Sequence, residues 1–392
     1  MQHYFNLKTH TNIDSVLACE TTLRHTRRAL HQIPELGFEL PKTMAFVKTR
    51  LESLGYSTQT TAQSGIIARK EGLTQKAVAF RSDMDALPIF ENTGADYGST
   101  HYGNMHACGH DGHMTMLLAF AAFIGEQPTL KQSVVFIFQP AEETGGGAKE
   151  VIKESILKKH HVQSIFGIHL FPELPEGMLG FKTGTLMAQD GEVDVTVNGL
   201  GTHGAQPHLG RDAILAASHL VTQYHSVMGR FIDPRKAAVI NVGSIKSGGS
   251  RNVVSEKAEL EGTLRAFDHE TYETLKTTLR RINQGVETSF NVQIDTVFKD
   301  LYPPVVNNDE MHQILLSTFS EDEYQLMEPL LLAEDFAYYQ EETPGYFVML
   351  GTRNEAKGFT YPLHSPQFNF DESVLKKGLE TYIRIADSLD VL

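Results

Sequence analysis

Cysteine is almost absent from this chain of 392 residues, which carries only Cys19 and Cys108. Two thiols exclude a disulfide framework and suit a reducing compartment, where a thiolate stays available to metal. Basic residues are outnumbered, 34 Lys and Arg against 48 Asp and Glu, for a formal net charge of -14. No basic stripe is there to displace counterions from phosphates, which argues against nucleic acid as a partner and for a small-molecule substrate. Long apolar runs are missing too. The longest, Met114 to Ile124, is far short of a membrane span, and the start MQHYFNLKTHTNID has no basic region followed by an apolar run. A cytoplasmic protein that crosses no membrane is expected. With 41% hydrophobic and 21% charged residues, the chain is of ordinary globular composition and long enough for two domains.

What the sequence does have is concentrated between Met105 and His113, Met-His-Ala-Cys-Gly-His-Asp-Gly-His. One thiol, three imidazoles and a carboxylate fall within nine residues, and Gly109 and Gly112 free the backbone to turn between them. A thiolate can bridge two cations while neutral imidazoles complete each shell, so Cys108 and His110 are the expected metal ligands. A metal pair cannot accept every imidazole on offer. His106, Asp111 and His113 are therefore expected to support the ligands or cap the following helix.

Around this stretch the hydrophobic period alternates between helix and strand. Helices are predicted from Asp14 to about Ile33, from Pro41 to Leu54, from Met114 to Gly125 and from Ala148 to Lys159. Strands are predicted at Ser57–Ala62, Ile66–Lys70, Ala77–Phe80, Ser133–Phe138 and Ser164–Ile168. Reactive residues recur at the strand ends: Asp83 and Asp85 after the third, Glu142 and Glu143 after the fourth, His169 after the fifth. In open α/β sheets ligands bind beyond the carboxyl ends of the strands, so these residues can converge. Near Gln189 the pattern becomes β-α-β-β-α-β, that of a ferredoxin-like insertion, and α/β alternation resumes from Asp309 to Leu389. The expected fold is α/β: a catalytic domain with a mostly parallel sheet flanked by helices (1–187 and 300–392), interrupted by a ferredoxin-like α+β domain (188–299).

Glu142 and Glu143 read as a solvated acidic pair or as a functional one, in which one binds metal and the other holds a proton at the attacking water. Their place after a buried strand and Pro140, and before Gly145 to Gly147, favours function. Cys108, His110, Glu143, His169 and His364 make five ligands, enough for two metals sharing Cys108, with Asp85 accepting a hydrogen bond from a liganding imidazole. Such a metal pair predicts hydrolysis of an amide. In the insertion, His203, Asn252 and Arg265 read either as turn and surface residues or as substrate groups. In the second case His203 faces the oxygen of the tetrahedral intermediate, and Asn252 and Arg265 take a substrate carboxylate.

Taken together, Arg-Ser-Asp-Met-Asp-Ala-Leu-Pro, His-Ala-Cys-Gly-His-Asp-Gly-His, Gln-Pro-Ala-Glu-Glu, Gly-Ile-His-Leu, Thr-His-Gly-Ala-Gln-Pro-His and the late Leu-His-Ser-Pro resemble the dinuclear metallopeptidase family of aminoacylases, glutamate carboxypeptidase and succinyl-diaminopimelate desuccinylase. The likeness is strongest to its amidohydrolase subgroup, with hippurate hydrolases, auxin-conjugate hydrolases and N-acetyl-diaminopimelate deacetylases. The resemblance implies a lid domain that also dimerises and a lid histidine that reaches the partner's active site. It makes Glu142 the general base, Glu143 a ligand and His203 the oxyanion donor. In most of the wider family an Asp bridges the metals and the first motif supplies a His; here Cys108 takes the bridging slot, Asp83 stands where that His would be, and His110 replaces it, as in the subgroup. Where the lid usually reads Asn-Val-Ile-Pro, this chain has Asn252-Val-Val-Ser255.

The resulting expectation is a homodimeric hydrolase of N-acyl amino acids with two divalent ions. Thiolate at the bridge suits Zn²⁺, Mn²⁺ is the other main candidate, and Co²⁺ or Ni²⁺ also fit imidazole and carboxylate ligands. A dipeptidase or carboxypeptidase with the same centre is the near rival; a silent metal-binding regulatory protein is the distant one, against which Glu142 beside Glu143 speaks.

Overall fold

The computed structural model describes residues 20–392. The first six residues of the helix predicted from Asp14, Cys19 and the start of the chain lie outside them. Contacts divide the chain into two units. One comprises the described residues up to Gly184 with Asn307–Met327 and Tyr338–Leu392; the other comprises Thr185–Val306 and Glu328–Ala337. Segment 328–337 thus belongs with the second unit, where the sequence alone leaves it in the last part of the first. The Leu330 N–H donates to the Leu186 carbonyl and the Ala188 N–H to that of Leu330, which holds the segment there.

In the first unit come α1 (Glu20–His31), α2 (Pro41–Ser53), β1 (Thr58–Thr61), β2 (Gly65–Lys70), β3 (Ala77–Asp83), α3 (His110–Glu126), β4 (Ser133–Gln139), α4 (Gly147–Lys153), α5 (Ile156–Lys159), β5 (Val162–Pro175) and β6 (Leu179–Phe181). The single helix predicted over 148–159 is interrupted at Ser155, which takes a left-handed φ of 58°. In the second unit follow β7 (Gln189–Asn198), β8 (Thr202–His203), α6 (Ala213–Ser226), β9 (Ala238–Ser247), β10 (Val253–Val254), β11 (Lys257–Ala266), α7 (His269–Phe290) and β12 (Gln293–Asp300). The chain returns to the first unit with α8 (Asp309–Thr318), β13 (Tyr324–Leu326), β14 (Gly345–Arg353) and α9 (Val374–Ser388).

The first unit's sheet has the order β1-β2-β4-β3-β5-β14-β6-β13. Its centre, β4-β3-β5-β14, is parallel throughout, a pairing that needs crossover connections, supplied between β3, β4 and β5 by helices. Every residue of β3 and β4 is buried, which explains why these strands read as continuous apolar runs rather than alternating ones. Helix α3 is buried along most of its length. It packs Phe120 against Phe80 and Phe136 of the sheet and Tyr382 of α9, with ring centroids 4.7 to 5.8 Å apart. β3 and β4 end side by side at Asp83 and Gln139, and β5 runs past them to Pro175 with His169 two residues beyond Gly167, the partner of Arg81; this is what gathers the site.

The second unit is an antiparallel sheet of order β9-β11-β7-β12 with α6 and α7 packed on it, the β-α-β-β-α-β arrangement of a ferredoxin-like fold. Asp212 and Asp268 cap the two helices through Ile214 N–H and Thr271 N–H. Val193, Val195 and Val197 of β7 meet Leu220 and Leu279 of the helices in its core.

Candidate metal centre

The ends of β3 and β4, the middle of β5 and one turn build the centre in the first unit. His169, expected just after a strand, lies within β5, which runs on to Pro175. β3 ends at Asp83 and Asp85 follows it, both fully buried. The turn before α3 pivots on Gly109, whose φ of 86° is left-handed and open to glycine at no steric cost. Gly109 also lies against Leu170 of β5, where a Cβ would stand 3.0 Å from Leu170 Cδ1. After β4, Ala141 takes a φ of 55° and Gly147 passes so close that a Cβ there would stand 1.7 Å from the Pro140 oxygen. Glu142 and Glu143 project from this tight loop. His364 has a φ of 62°, and its N–H donates to the Ala107 carbonyl at 2.9 Å, which places its loop beside Cys108.

Ligand atoms of Cys108, His110 and Glu143 lie within 4.8 Å of one another, as do those of Asp83, His110, His113 and His169. Hydrogen bonds sort these groups. His113 is fully engaged: Nδ1 donates to Asp83 Oδ1 at 2.7 Å and Nε2 accepts the Leu170 N–H at 2.9 Å, leaving no lone pair for a cation. His110 spends Nδ1 on the Asp85 carbonyl at 2.8 Å, and His169 spends Nδ1 on the Leu170 carbonyl at 2.7 Å. Each therefore presents Nε2. His169 Nε2 stands 3.5 Å from Cys108 Sγ, His110 Nε2 stands 3.8 Å from Glu143 Oε1, and His364 Nε2 stands 3.4 Å from the same oxygen. His110 Nε2 and Glu143 Oε1 are buried and make no hydrogen bond. Buried polar atoms normally find a partner, and an orphaned imidazole nitrogen facing an orphaned carboxylate oxygen beside a thiol is the donor set of a divalent cation.

Asp85 departs from its expected part. Its backbone carbonyl, not its carboxylate, orients the His110 imidazole, while the carboxylate accepts the N–H groups of Glu142 at 2.9 Å and Glu143 at 3.1 Å. The carboxylate thus clamps the Glu-Glu loop; its Oδ1 is 3.9 Å from His110 Nδ1, too far for a hydrogen bond. Charges follow the geometry. Burial works against the Asp83 anion, but His110, His113 and Arg81 hold its carboxyl well below the usual range. Burial, with Glu143 alongside, pushes Asp85 well up. Burial raises the Cys108 thiol, reinforced by Glu143 and Glu142, and the same burial lowers the pKa of His110 and, further, that of His169. His106 is buried with neither ring nitrogen bonded, and burial lowers it to about 3.

The remaining predicted residues sit in the second unit. His203 is exposed on β8, which pairs with β10, and it lines a concavity of about 800 Å³ with Lys246, Ser255 and Lys257. Asn252 is its neighbour, its carbonyl accepting the Gly204 N–H at 2.7 Å. The structure does not bring Arg265 to them. Arg265 lies at the far end of β11, eight residues beyond Lys257 and so on the order of 25 Å along the strand, where its guanidinium pairs with Asp190 across the ladder.

Arg27 and His31 escape a motif-based reading although both reach the turn before α3 through Asp111. The available signal is an arginine on the apolar face of an amphipathic helix, between Leu23 and Leu30, a position that demands a buried partner.

A buried thiol, neutral imidazoles and carboxylates at the carboxyl edge of a parallel α/β sheet define a metal-dependent hydrolase of amide or peptide bonds. Comparison with known proteins supplies the family. Residues 79–388 match the model of Peptidase family M20/M25/M40, and the chain belongs to that family. It is 37% identical over 356 residues to a protein called an uncharacterized hydrolase from Staphylococcus aureus (strain bovine RF122 / ET3-1), covering 89% of this chain and 93% of that one. A dinuclear metal binding peptidase of the M20 family from Bacillus subtilis superposes with a TM-score of 0.82 at 31% identity, covering 95% of this chain and 99% of that one. A crystal structure from methicillin-resistant Staphylococcus aureus superposes with a TM-score of 0.91 at 31% identity, over 97% and 98% of the two chains.

Proposed function

We propose that this hydrolase cleaves the amide bond of N-acyl amino acids, using two divalent ions held by Cys108, His110, Glu143, His169 and His364. The observation that carries the reading is the pair of orphaned atoms, His110 Nε2 and Glu143 Oε1, beside a buried thiol in a chain whose Bacillus subtilis relative is dinuclear. When bound, the ions lower the pKa of a water and polarise the acyl carbonyl. Glu142 takes the proton of the attacking water and delivers it to the departing amine. Asp85 holds the Glu142 and Glu143 backbone in place for both tasks. His203 stabilises the oxyanion, and Asn252 takes the substrate carboxylate. Arg265, the other residue expected to meet that carboxylate, pairs with Asp190 in the structure. Zn²⁺ and Mn²⁺ are the proposed metals, with Co²⁺ and Ni²⁺ compatible with the same donors.

The test is amine release from N-acetyl, N-benzoyl and indole-acyl amino acids and from dipeptides, by protein stripped of metal and reloaded with Mn²⁺ or Zn²⁺. Metal-dependent release from one acyl class is expected. Release from dipeptides alone would make the protein a peptidase, and no turnover with any metal would leave a binding protein.

The same reading makes the second unit a lid and a dimerisation surface. That unit exposes Leu200, Leu209, Ile214, Leu215, Ile245 and Val253, apolar side chains that a partner surface could cover. Sedimentation should give twice the 43.6 kDa of one chain; a monomer at micromolar concentration would refute the dimer. No helix among the described residues is long and apolar enough to cross a membrane, and the free thiol of Cys108 supports a reducing, cytoplasmic setting.

A further inference from the structure

We infer that Arg27 and His31 are positioning residues of the metal centre, fixing through Asp111 the orientation in which the Cys108–His110 turn offers its ligands. The inference rests on the metal-centre reading above and extends it to a helix distant in sequence.

The turn enters α3 through Gly109, whose left-handed φ suits glycine and whose carbonyl accepts the Gly112 and His113 N–H groups at 2.8 and 3.1 Å. Side chains brace it further. On one side it is held by the bond from His110 Nδ1 to the Asp85 carbonyl. On the other side the brace is Asp111. Its Oδ1 accepts the Gly112 N–H at 2.9 Å, and its Oδ2 accepts both Arg27 Nε and His31 Nδ1 at 2.8 Å. Arg27 and His31 stand one helical turn apart on α1, and with Asp111 all three are fully buried. Each is in turn fixed from behind. Arg27 Nη1 donates to Tyr97 Oη at 2.8 Å, and Nη2 to Asn369 Oδ1 at 2.9 Å; the guanidinium lies 4.3 Å from the Phe370 ring centre. His31 Nε2 is 3.2 Å from Glu91 Oε1.

Docking α1 alone would not call for this arrangement. A buried ionic network is a weak source of stability compared with apolar side chains of the same volume, and Leu23 and Leu30 on the same face already supply apolar contact. What the network adds is direction. A single carboxylate, one residue from His110, is tied to α1, to the 91–97 loop and to the segment after His364. Supporting bonds of this kind set the angle at which ligands meet a metal and its affinity.

The experiment uses the full chain loaded with Co²⁺, read by the thiolate-to-cobalt charge-transfer absorption and by competition with a chelator. His31→Leu is expected to shift the absorption at saturating Co²⁺ and to weaken metal binding by roughly 10- to 100-fold. His31→Asn, which keeps a donor where Nδ1 stood, should restore both. Arg27→Lys, which keeps the charge but loses the Nε geometry, should reproduce the shift and serves if His31→Leu does not fold. A purely structural role would lower the melting temperature of the metal-free protein and leave spectrum and affinity unchanged, and that result would overturn the inference. Should the charge-transfer band be absent from the unaltered protein, or survive Cys108→Ser, the metal-centre reading itself would fall, and this inference with it.

Discussion

Replacing Glu142 with Gln is expected to lower kcat by a factor of about 10²–10⁴, the usual contribution of a positioned acid–base group, while metal content and KM stay near those of the unaltered protein. Gln has the same shape and keeps an acceptor oxygen, so the loop clamped by Asp85 through the Glu142 and Glu143 N–H groups has no reason to move. What disappears is the capacity to take a proton from water and return it to the amine. Glu143→Gln makes the contrast. Its Oε1 is one of the two orphaned atoms, and weakening that donor should strip metal before it affects anything else. Metal analysis alongside steady-state kinetics separates the two outcomes. A Glu142→Gln protein within threefold of full kcat would remove Glu142 from the mechanism, and one that had lost its metal would make Glu142 a ligand.

Most of the scaffold is legible in the sequence because the parallel strands are buried on both faces and end in reactive residues. Asp83, Glu142 and Glu143 could be placed near one another from the strand-end rule alone; His169, expected at a strand end, lies within β5, which runs on to Pro175. The ferredoxin-like order of the second unit follows from its alternating β7 pattern and capped helices. Less legible is anything decided by backbone direction. Which group of Asp85 meets His110 depends on the path of the chain after β3, and a motif records only that an aspartate is there. That both ring nitrogens of His113 are engaged depends on the Leu170 N–H reaching its Nε2, a contact between residues 57 apart. The break at Ser155 is set by a left-handed residue in a stretch whose apolar spacing suits one helix. Arg265 is a further case: that its ladder partner is Asp190 is decided by strand register, which an arginine late in a strand does not reveal.

The second large effect expected is on metal binding as pH changes. Burial and the neighbouring Glu143 and Glu142 push the Cys108 thiol up, so the metal-free protein holds it protonated at neutral pH, whereas a metal takes the thiolate. Loading must expel that proton. Since proton and cation compete for the sulfur, affinity should rise about tenfold for each unit of pH above the range in which His364 titrates, with roughly one proton released per centre. His110 and His169 do not change this slope, because burial already keeps them neutral there. His364 acts at the acid end: Glu143 beside it raises its pKa, so a second proton must leave as pH falls toward that value, and the dependence steepens. Cys108→Ala should weaken binding by more than the roughly 10- to 100-fold typical of lost supporting residues. It should also flatten the slope above neutrality. Chelator competition across the pH range, with proton release measured in buffers of different ionisation enthalpy, provides both quantities. A slope near zero in the unaltered protein would mean that sulfur binds no metal, leaving only imidazole and carboxylate donors to hold the ions.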